Sequence, residues 1–284
     1  MITIHSIEEI RLYVEQAKKR GETIGFVPTM GFLHEGHGSL IDHARGDHQQ
    51  VIVSIFVNPL QFGPNEDFDR YPRDLPKDQA FCEARGVDVI FAPSAKEMYG
   101  EEDALTRIHV DELGNHLCGA SRPGHFDGVA TVVAKLFNIV QPHRAYFGKK
   151  DFQQLSIVKR LVKDLSIPVE IIGVDIVREA DGLAKSSRNA YLTPEDRTVA
   201  PELQQSLKRI QAKVAEGASD LDQLMEAERS RLASFERIRI DYLTCVDLLQ
   251  LQPIHKLDVG EQGVCAITAF VGNTRLIDNI LLTR

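Results

Sequence analysis

The chain has 284 residues, of which 43% are hydrophobic and 26% are charged, and its formal net charge at pH 7 is -8. This length allows two domains with their own cores, and the composition is ordinary for a soluble globular protein. The acidic balance argues against extended binding to nucleic acid or to anionic membranes, because both present phosphates. It still permits a local basic pocket for one polyphosphate.

The cysteines and the first residues argue against a secreted or membrane protein. The four cysteines are scattered and form no Cys-x-x-Cys pair, which disfavours a disulfide framework or a zinc cluster. The first residues show no basic segment followed by an apolar one, and no apolar run approaches membrane-spanning length. We therefore expect a soluble, cytoplasmic protein.

The first part of the chain alternates predicted helices and strands. A capping box at 6–9 begins a helix that ends at Gly21. The following elements are, in chain order, a strand at 23–29, a helix carrying His37, a strand at 51–57, a helix near 74–85, a strand at 87–91, a helix at 129–140, a strand at 145–147, a helix at 151–163 and a strand at 169–177. This alternation predicts an α/β fold with a Rossmann-like, doubly wound parallel sheet in a domain of residues 1–177.

The pattern changes after about residue 180. Thr193 and Pro194 have the residue types of a helix start, and charged helices are predicted from there to about residue 235. Three strands joined by turns are then predicted, at 238–247, 264–271 and 276–282. We therefore predict a smaller C-terminal α+β domain over residues 178–284.

The first candidate site follows the strand at 23–29. In a doubly wound sheet, ligands bind beyond the carboxyl ends of the strands. The residues at that position are Met30, Gly31, Phe32, Leu33, His34, Glu35, Gly36 and His37. A helix N-terminus attracts phosphate, and imidazoles in its first turn could donate to the same anion, so we favour phosphate contact. The alternatives are two incidental histidines on a solvent-facing turn, or two metal ligands that would need a third.

Two amides follow the strand at 51–57. Asn58 and Gln61 flank Pro59, which alone would account for a simple turn. Each amide can donate to a carboxylate and accept from a hydroxyl, which would suit a small hydroxy acid. A Gly- and Pro-rich loop at 121–128 carries Arg122 and His125, and it could close over an anion.

Two later segments add positive charge to the same predicted edge of the sheet. Gly148, Lys149, Lys150 and Asp151 follow the strand at 145–147, although Asp151 could simply cap the next helix, which carries Gln154. The loop at 181–189 follows the last strand of the first domain. It contains Lys185, Ser186, Ser187 and Arg188, whose hydroxyls and cations suit the phosphates of a nucleotide.

These segments together resemble a known family. The histidine turn and the late Lys-Ser-Ser-Arg loop are similar to the HIGH and KMSKS signatures of nucleotidyl-transferring enzymes. More narrowly, five segments in order and spacing resemble the pantothenate synthetase (pantoate–β-alanine ligase) family: PTMGFLHEGH, SIFVNPLQF, SRPGHFDGV, FGKKDFQQL and DGLAKSSRNAYL. The resemblance extends from the first helix to the segment at 275–279.

This resemblance implies a two-step reaction with ATP and Mg²⁺. Pantoate attacks the α-phosphorus of MgATP to give pantoyl adenylate and pyrophosphate, and β-alanine then displaces AMP. Catalytic roles are implied for His34, His37, Lys150 and Arg188. Pantoate or β-alanine contacts are implied for Asn58, Gln61, His125 and Gln154. ATP contacts are implied for residues 30–37 and for Gly148, Lys149, Lys150, Asp151, Val177, Lys185, Ser186, Ser187 and Arg188. The resemblance also implies a homodimer.

Three positions depart from the pattern of the family. Lys149 and Cys118 stand where relatives usually have Glu, and Lys185 replaces an apolar residue. Lys185 could touch phosphate or point to solvent. Two other functions remain as alternatives: another nucleotidyltransferase of the same superfamily, which would not need both Gln61 and Gln154, and a non-catalytic nucleotide sensor, in which we would expect damaged catalytic residues.

Overall fold

The computed structural model describes residues 1–64, 66, 68–101 and 104–284. These residues form two compact units. The first comprises 1–115, 119–149 and 154–175, and the second comprises 116–118, 150–153 and 176–284. The second unit therefore includes two short segments of the chain in addition to its C-terminal part.

The first unit is built on a six-stranded parallel sheet. The strands are β1 (Ile2–Ile4), β2 (Ile24–Thr29), β3 (Gln50–Ile55), β4 (Val89–Phe91), β5 (Arg144–Gly148) and β6 (Glu170–Val174). Their order across the sheet is β1-β4-β3-β2-β5-β6, and every pairing is parallel. The predicted doubly wound sheet is confirmed. The order reverses between β2 and β5, which is where such sheets bind ligands.

Seven α-helices in the described ranges precede residue 165. They are α1 (Ile7–Lys19), α2 (Glu35–Asp47), α3 (Leu75–Glu83), α4 (Ala95–Tyr99), α5 (Cys118–Ser121), α6 (His125–Val140) and α7 (Phe152–Asp164). Short 3₁₀ turns follow β3 at Pro59–Gln61 and β5 at Lys149–Asp151. None of the helices in the described ranges combines the length and apolar character that a bilayer crossing requires.

The core of the first unit explains why β2 and β3 are almost wholly apolar. Phe26 and Val53 have no exposed surface, because helices cover both faces of the sheet. Helix α6 is buried around most of its circumference, including Gly128 and Phe137.

Sequence analysis missed β1, α4 and α5, because elements of so few residues carry too little periodicity to be recognised.

The second unit contains a smaller antiparallel sheet and helices. After a 3₁₀ turn at Ser187–Tyr191 come α8 (Pro194–Val199), α9 (Glu202–Ala215), α10 (Leu221–Leu232), β7 (Ile238–Val246), β8 (Gln262–Val271) and β9 (Thr274–Thr283), with strand order β7-β8-β9. Leu203, Leu207 and Ile210 recur at helical spacing along α9 and pack in one cluster with Ile267 of β8. The predicted α+β character of this region is confirmed.

His48 is a buried histidine at the opposite end of α2 from His34. It is 8% exposed, and neither ring nitrogen has a hydrogen-bond partner among the described residues. Burial lowers the pKa of His48, Asp47 opposes that shift, and the neighbouring Arg144, His143 and Arg45 add to it. The folded protein therefore holds this imidazole neutral.

We expect this histidine to make the protein less stable in mild acid. The unfolded chain takes up a proton near the ordinary pKa of about 6.5, whereas the folded chain takes it up only at lower pH. The free energy of unfolding should thus fall as the pH drops through that value, and His48→Phe should remove this part of the dependence. Urea unfolding of both proteins from pH 8 to pH 5 measures it. Parallel curves for the two proteins would contradict the assignment.

Candidate active site

The turn that follows β2 is held by a buried carboxylate of α3. Gly31 and Phe32 both have positive φ, +81° and +52°, so the chain turns sharply before α2. Asp78 Oδ2 accepts from Phe32 N at 2.8 Å, and Asp78 Oδ1 accepts from Leu33 N at 2.7 Å. A Cβ on Gly31 would lie 3.0 Å from Asp78 Oδ2, so the glycine lets the two segments approach closely.

Asp78 was missed by sequence analysis. It is 2% exposed, and burial raises the pKa of its carboxyl, while the backbone N–H groups of Leu33 and Phe32 act in the opposite direction. The available signal was its position four residues before Cys82, which places the acid on the same helix face as a cysteine, a residue type that is usually buried. A buried acid on such a face usually has specific hydrogen-bond partners.

His34 and His37 form a reciprocal cap at the start of α2. Gly36 N donates to His34 Nδ1 at 3.1 Å, and His34 N donates to His37 Nδ1 at 3.3 Å. Because Nδ1 accepts in both rings, a neutral imidazole carries its proton on Nε2. The ring centroids are 4.2 Å apart. The helix start therefore presents two neighbouring Nε2–H donors, in addition to its own backbone N–H groups.

Gly36 is required by this arrangement. A Cβ at this position would lie 2.8 Å from His34 Cε1 and 2.9 Å from its Nδ1, so any side chain would displace the ring.

In the described ranges, no three His, Cys, Asp or Glu side chains form a group that could bind a metal ion.

The turn after β3 contains a fully bonded asparagine. Asn58 has no exposed surface, and its Nδ2 donates to Gln61 Oε1 at 3.0 Å and to Gly128 O at 3.1 Å. Its Oδ1 accepts from Tyr99 Oη at 2.8 Å and from Leu60 N at 3.2 Å. The Asn58 side chain thus contacts Gln61 from inside the protein. All of the hydrogen-bonding groups of Asn58 are used by other protein groups.

His125 and Arg122 hold the backbone of the same turn. His125 Nδ1 lies 2.7 Å from Gln61 O, and Arg122 Nη2 donates to the same oxygen at 3.3 Å. Arg122 also lies 3.0 Å from His125 Nε2 and pairs with Glu66 at 2.5 Å. Helix α6 starts at His125, four residues earlier than the predicted 129, because the left-handed Gly124 (φ +79°) turns the chain into it.

Lys149 lies at the carboxyl end of β5 and is paired there. Its Nζ is 2.6 Å from Asp175 Oδ1, and this lysine lowers the pKa of Asp175. Lys149, one of the three positions that depart from the family pattern, thus has its own counter-ion nearby.

Gln154, in the first turn of α7, is half-buried.

Lys150 belongs to the second unit and lies near several charged groups. Burial lowers the pKa of Lys150, the carboxylates of Asp151 and Asp278 oppose this shift, and the Arg188 guanidinium adds to it. Asn279 Nδ2 donates to Lys150 O at 2.8 Å. The Lys150 backbone is therefore tied to β9.

The buried end of this cluster is a bidentate ion pair. Arg178 donates to the two oxygens of Asp278 at 2.7 and 2.9 Å, and Asp278 is only 4% exposed. Sequence analysis did not single out either residue. The signal was a pair of polar residues, Asp278 and Asn279, between two short apolar stretches of β9.

The serine-rich loop forms a short capped turn. Ser186 is its N-cap, and its Oγ accepts from Arg188 N at 3.2 Å. Lys185 N donates to Val177 O at 3.0 Å, and Lys185 Nζ lies 3.3 Å from Glu179 Oε2. The Lys185 side chain is thus paired with a carboxylate of its own unit.

Cys118, the remaining departure, contacts the three-stranded sheet. Its Sγ lies 3.1 Å from Tyr242 Oη and 3.7 Å from Arg275 Nη1. Arg275 in turn pairs with Asp241 at 2.8 Å. The guanidinium of Arg275 thus contacts a thiol at position 118 and a carboxylate at position 241.

Comparison with known proteins gives one consistent result. The family described as Pantoate-beta-alanine ligase matches residues 2–281. A pantothenate synthetase of Thermotoga petrophila is 51% identical over 99% of this chain and 100% of its own length, and one from Clostridium novyi is 49% identical over 99% and 98%. A crystal structure of the pantothenate synthetase from Thermus thermophilus has a TM-score of 0.93, 46% identity and full coverage of both chains. A Francisella tularensis pantoate-β-alanine ligase, solved with beta-gamma ATP and β-alanine, has a TM-score of 0.81 and 38% identity, with 99% and 97% coverage.

Proposed function

This chain belongs to the pantoate–β-alanine ligase family and catalyses the ATP-dependent condensation of pantoate with β-alanine, and we propose that it does so through a pantoyl adenylate. In the first step a carboxylate oxygen of pantoate attacks the α-phosphorus of ATP, and pyrophosphate leaves. In the second step the amine of β-alanine attacks the acyl carbon, AMP leaves with the bonding electrons, and the amine loses a proton.

The reciprocal histidine cap is the observation that carries this proposal. The first step brings together two anions, so it needs fixed donors aimed at the phosphate oxygens. His34 and His37 are held with Nδ1 as acceptor, which makes Nε2–H the donor of each ring. We assign both donors, together with the N-terminus of α2, to the phosphates of ATP. His37 then stabilises the charge that develops as pantoate attacks.

The acid is assigned to the turn after β3 and the first turn of α7. Gln61 and Gln154 are proposed to bind pantoate. His125 and Asn58, for which the family resemblance implies contacts with the acid, are instead proposed to support Gln61, since both bond to it in the structure.

The remaining charged residues are assigned to ATP. Lys150 and Arg188 are proposed to neutralise phosphate charge, with Mg²⁺ entering as the ion bound to the nucleotide. The other proposed ATP contacts are residues 30–33, Glu35, Gly36, Gly148, Lys149, Asp151, Val177, Lys185, Ser186 and Ser187. The homodimer and the cytoplasmic location stay predictions from the family resemblance and from composition.

Product analysis with and without the second substrate tests the two-step order. We expect ATP, Mg²⁺ and pantoate alone to release pyrophosphate in an amount about equal to the enzyme present, with the adenylate held on the protein. Adding β-alanine should give AMP and pantothenate continuously. No release of pyrophosphate before β-alanine is added, or pantothenate formed with ADP and phosphate, would refute the adenylate mechanism.

A further inference from the structure

We propose that Asn58 and Tyr99 act as positioning residues that fix the Gln61 side chain as a hydrogen-bond donor toward pantoate. This inference rests on the proposed role of Gln61 in binding the acid. An amide can present either its oxygen or its nitrogen to a ligand, and the two faces select opposite chemistry. The surroundings of Asn58 decide between them.

The orientation of Asn58 follows from two main-chain groups. The carbonyl of Gly128, 3.1 Å away, can only accept a hydrogen bond, so it requires the Asn58 nitrogen. The N–H of Leu60, 3.2 Å away on the other side, can only donate, so it requires the Asn58 oxygen. A flipped amide would bring two acceptors together and two donors together, with no exposed surface through which water could relieve either contact.

Tyr99 supports the same orientation from the side-chain direction. Its hydroxyl lies 2.8 Å from Asn58 Oδ1. Burial raises the pKa of Tyr99, so this hydroxyl keeps its proton and acts as a donor. Tyr99 and Leu60 then occupy both lone pairs of the Asn58 oxygen.

The hydrogen bond from Asn58 fixes the orientation of the Gln61 side chain. One hydrogen of Asn58 Nδ2 is used by Gly128 O, and the other lies toward Gln61 Oε1 at 3.0 Å. With its oxygen held there, Gln61 has its Nε2 group left for a ligand, and no described residue forms a hydrogen bond to that nitrogen. Gln61 therefore selects an oxygen that offers a lone pair, such as a carboxylate or a hydroxyl oxygen that accepts.

The variant Gln61→Glu distinguishes a donor from an acceptor. The carboxyl keeps one oxygen for Asn58, and when ionised its other oxygen can only accept. When protonated, that oxygen becomes an O–H donor and restores the wild-type chemistry. We expect the KM for pantoate of Gln61→Glu, relative to wild type at the same pH, to be raised at least about a hundredfold at pH 8, since a buried donor is replaced by a like charge. This ratio should fall steadily toward pH 5.5.

The variant Tyr99→Phe tests whether the Tyr99 hydroxyl helps to fix the orientation of Asn58 and, through it, of Gln61. Loss of one neutral hydrogen bond to Asn58 should raise the KM for pantoate by about threefold to tenfold, while the KM values for ATP and β-alanine stay as in wild type. Tyr146→Phe is the matched control. It also removes a buried hydroxyl, which bonds to Asp47 at 2.7 Å, and it should leave the pantoate KM unchanged.

Three results would overturn the inference. A Gln61→Glu enzyme whose relative KM is unchanged at pH 8, or rises as the pH falls, would show that Gln61 accepts a hydrogen bond. Equal effects of Tyr99→Phe on all three KM values would show a general structural role. If Gln61→Ala leaves the pantoate KM unchanged while the enzyme still makes pantothenate, the proposed placement of the acid is wrong, and the activity of the family is unaffected.

Discussion

Replacing His37 by alanine is expected to lower the rate of adenylate formation by about a hundredfold or more, the usual cost of removing one fixed donor from a developing oxyanion. The helix should survive. The substitution removes one acceptor from the N-terminal cap, at His34 N, and such a loss costs about 1 kcal/mol. Single-turnover release of pyrophosphate from ATP and pantoate, without β-alanine, measures the chemical step directly.

Two further variants separate catalysis from capping. His34→Asn keeps an oxygen that can accept from Gly36 N, since asparagine is a favoured N-cap residue, but it lacks the Nε2 donor. It should melt close to wild type and still lose most of its adenylation rate. His43→Ala is the control, because this exposed histidine of α2 has Ser39 O of its own helix as its only hydrogen-bond partner in the part of the chain that the structure describes. Near-normal adenylation in His37→Ala would remove this residue from the reaction.

Gly128→Ala is expected to have the largest effect on the folded state. A Cβ at this position would lie 2.1 Å from Leu60 O and 2.9 Å from Gln61 N, and both are main-chain atoms that cannot rotate away. Helix α6 and the turn at Pro59–Gln61 would have to separate, at a cost of about 1–3 kcal/mol or more in the free energy of unfolding. The hydrogen bond from Asn58 to Gly128 O would lengthen, so the pantoate KM should rise as well.

Gly46→Ala provides the matched control for this substitution. Gly46 is also helical, in the last turn of α2, but a Cβ there would meet no atom within 4 Å. Alanine should therefore stabilise the protein by up to about 1 kcal/mol, through helix propensity and a less flexible unfolded chain. Urea unfolding and pantoate kinetics of both variants make the comparison. If Gly128→Ala were as stable as Gly46→Ala, the close approach would not constrain the site.

The fold was accessible from sequence because its elements have strong local signatures. Strands such as β3 are buried on both faces and are nearly continuous in apolar residues, and the helices between them have clear starts at Ser6 and Thr193. The histidine turn was found for the same reason, since it follows a recognisable strand. Short elements such as β1, α4 and α5 escaped notice.

The residues that hold the site in place could not be predicted from such local patterns. Asp78 lies 45 residues from Leu33 in sequence, and Tyr99 lies 41 residues from Asn58. Neither residue has a neighbour in the chain that indicates its partner. Asn58 itself was noticed, but its local sequence cannot tell a ligand contact from a buried support, because both need the same amide.

The amino-acid sequence by itself thus determined the class of fold, the histidine pair at a helix start, and the order of segments that marks a pantoate–β-alanine ligase. The tertiary structure alone decided the direction of the hydrogen bonds. A side-chain amide can present either its oxygen or its nitrogen until main-chain groups contact it, and Gly128 O is 70 residues from Asn58 in sequence. The packing of α6 against a turn therefore decides which end of the Gln61 amide faces the ligand. No local pattern of residues encodes that packing.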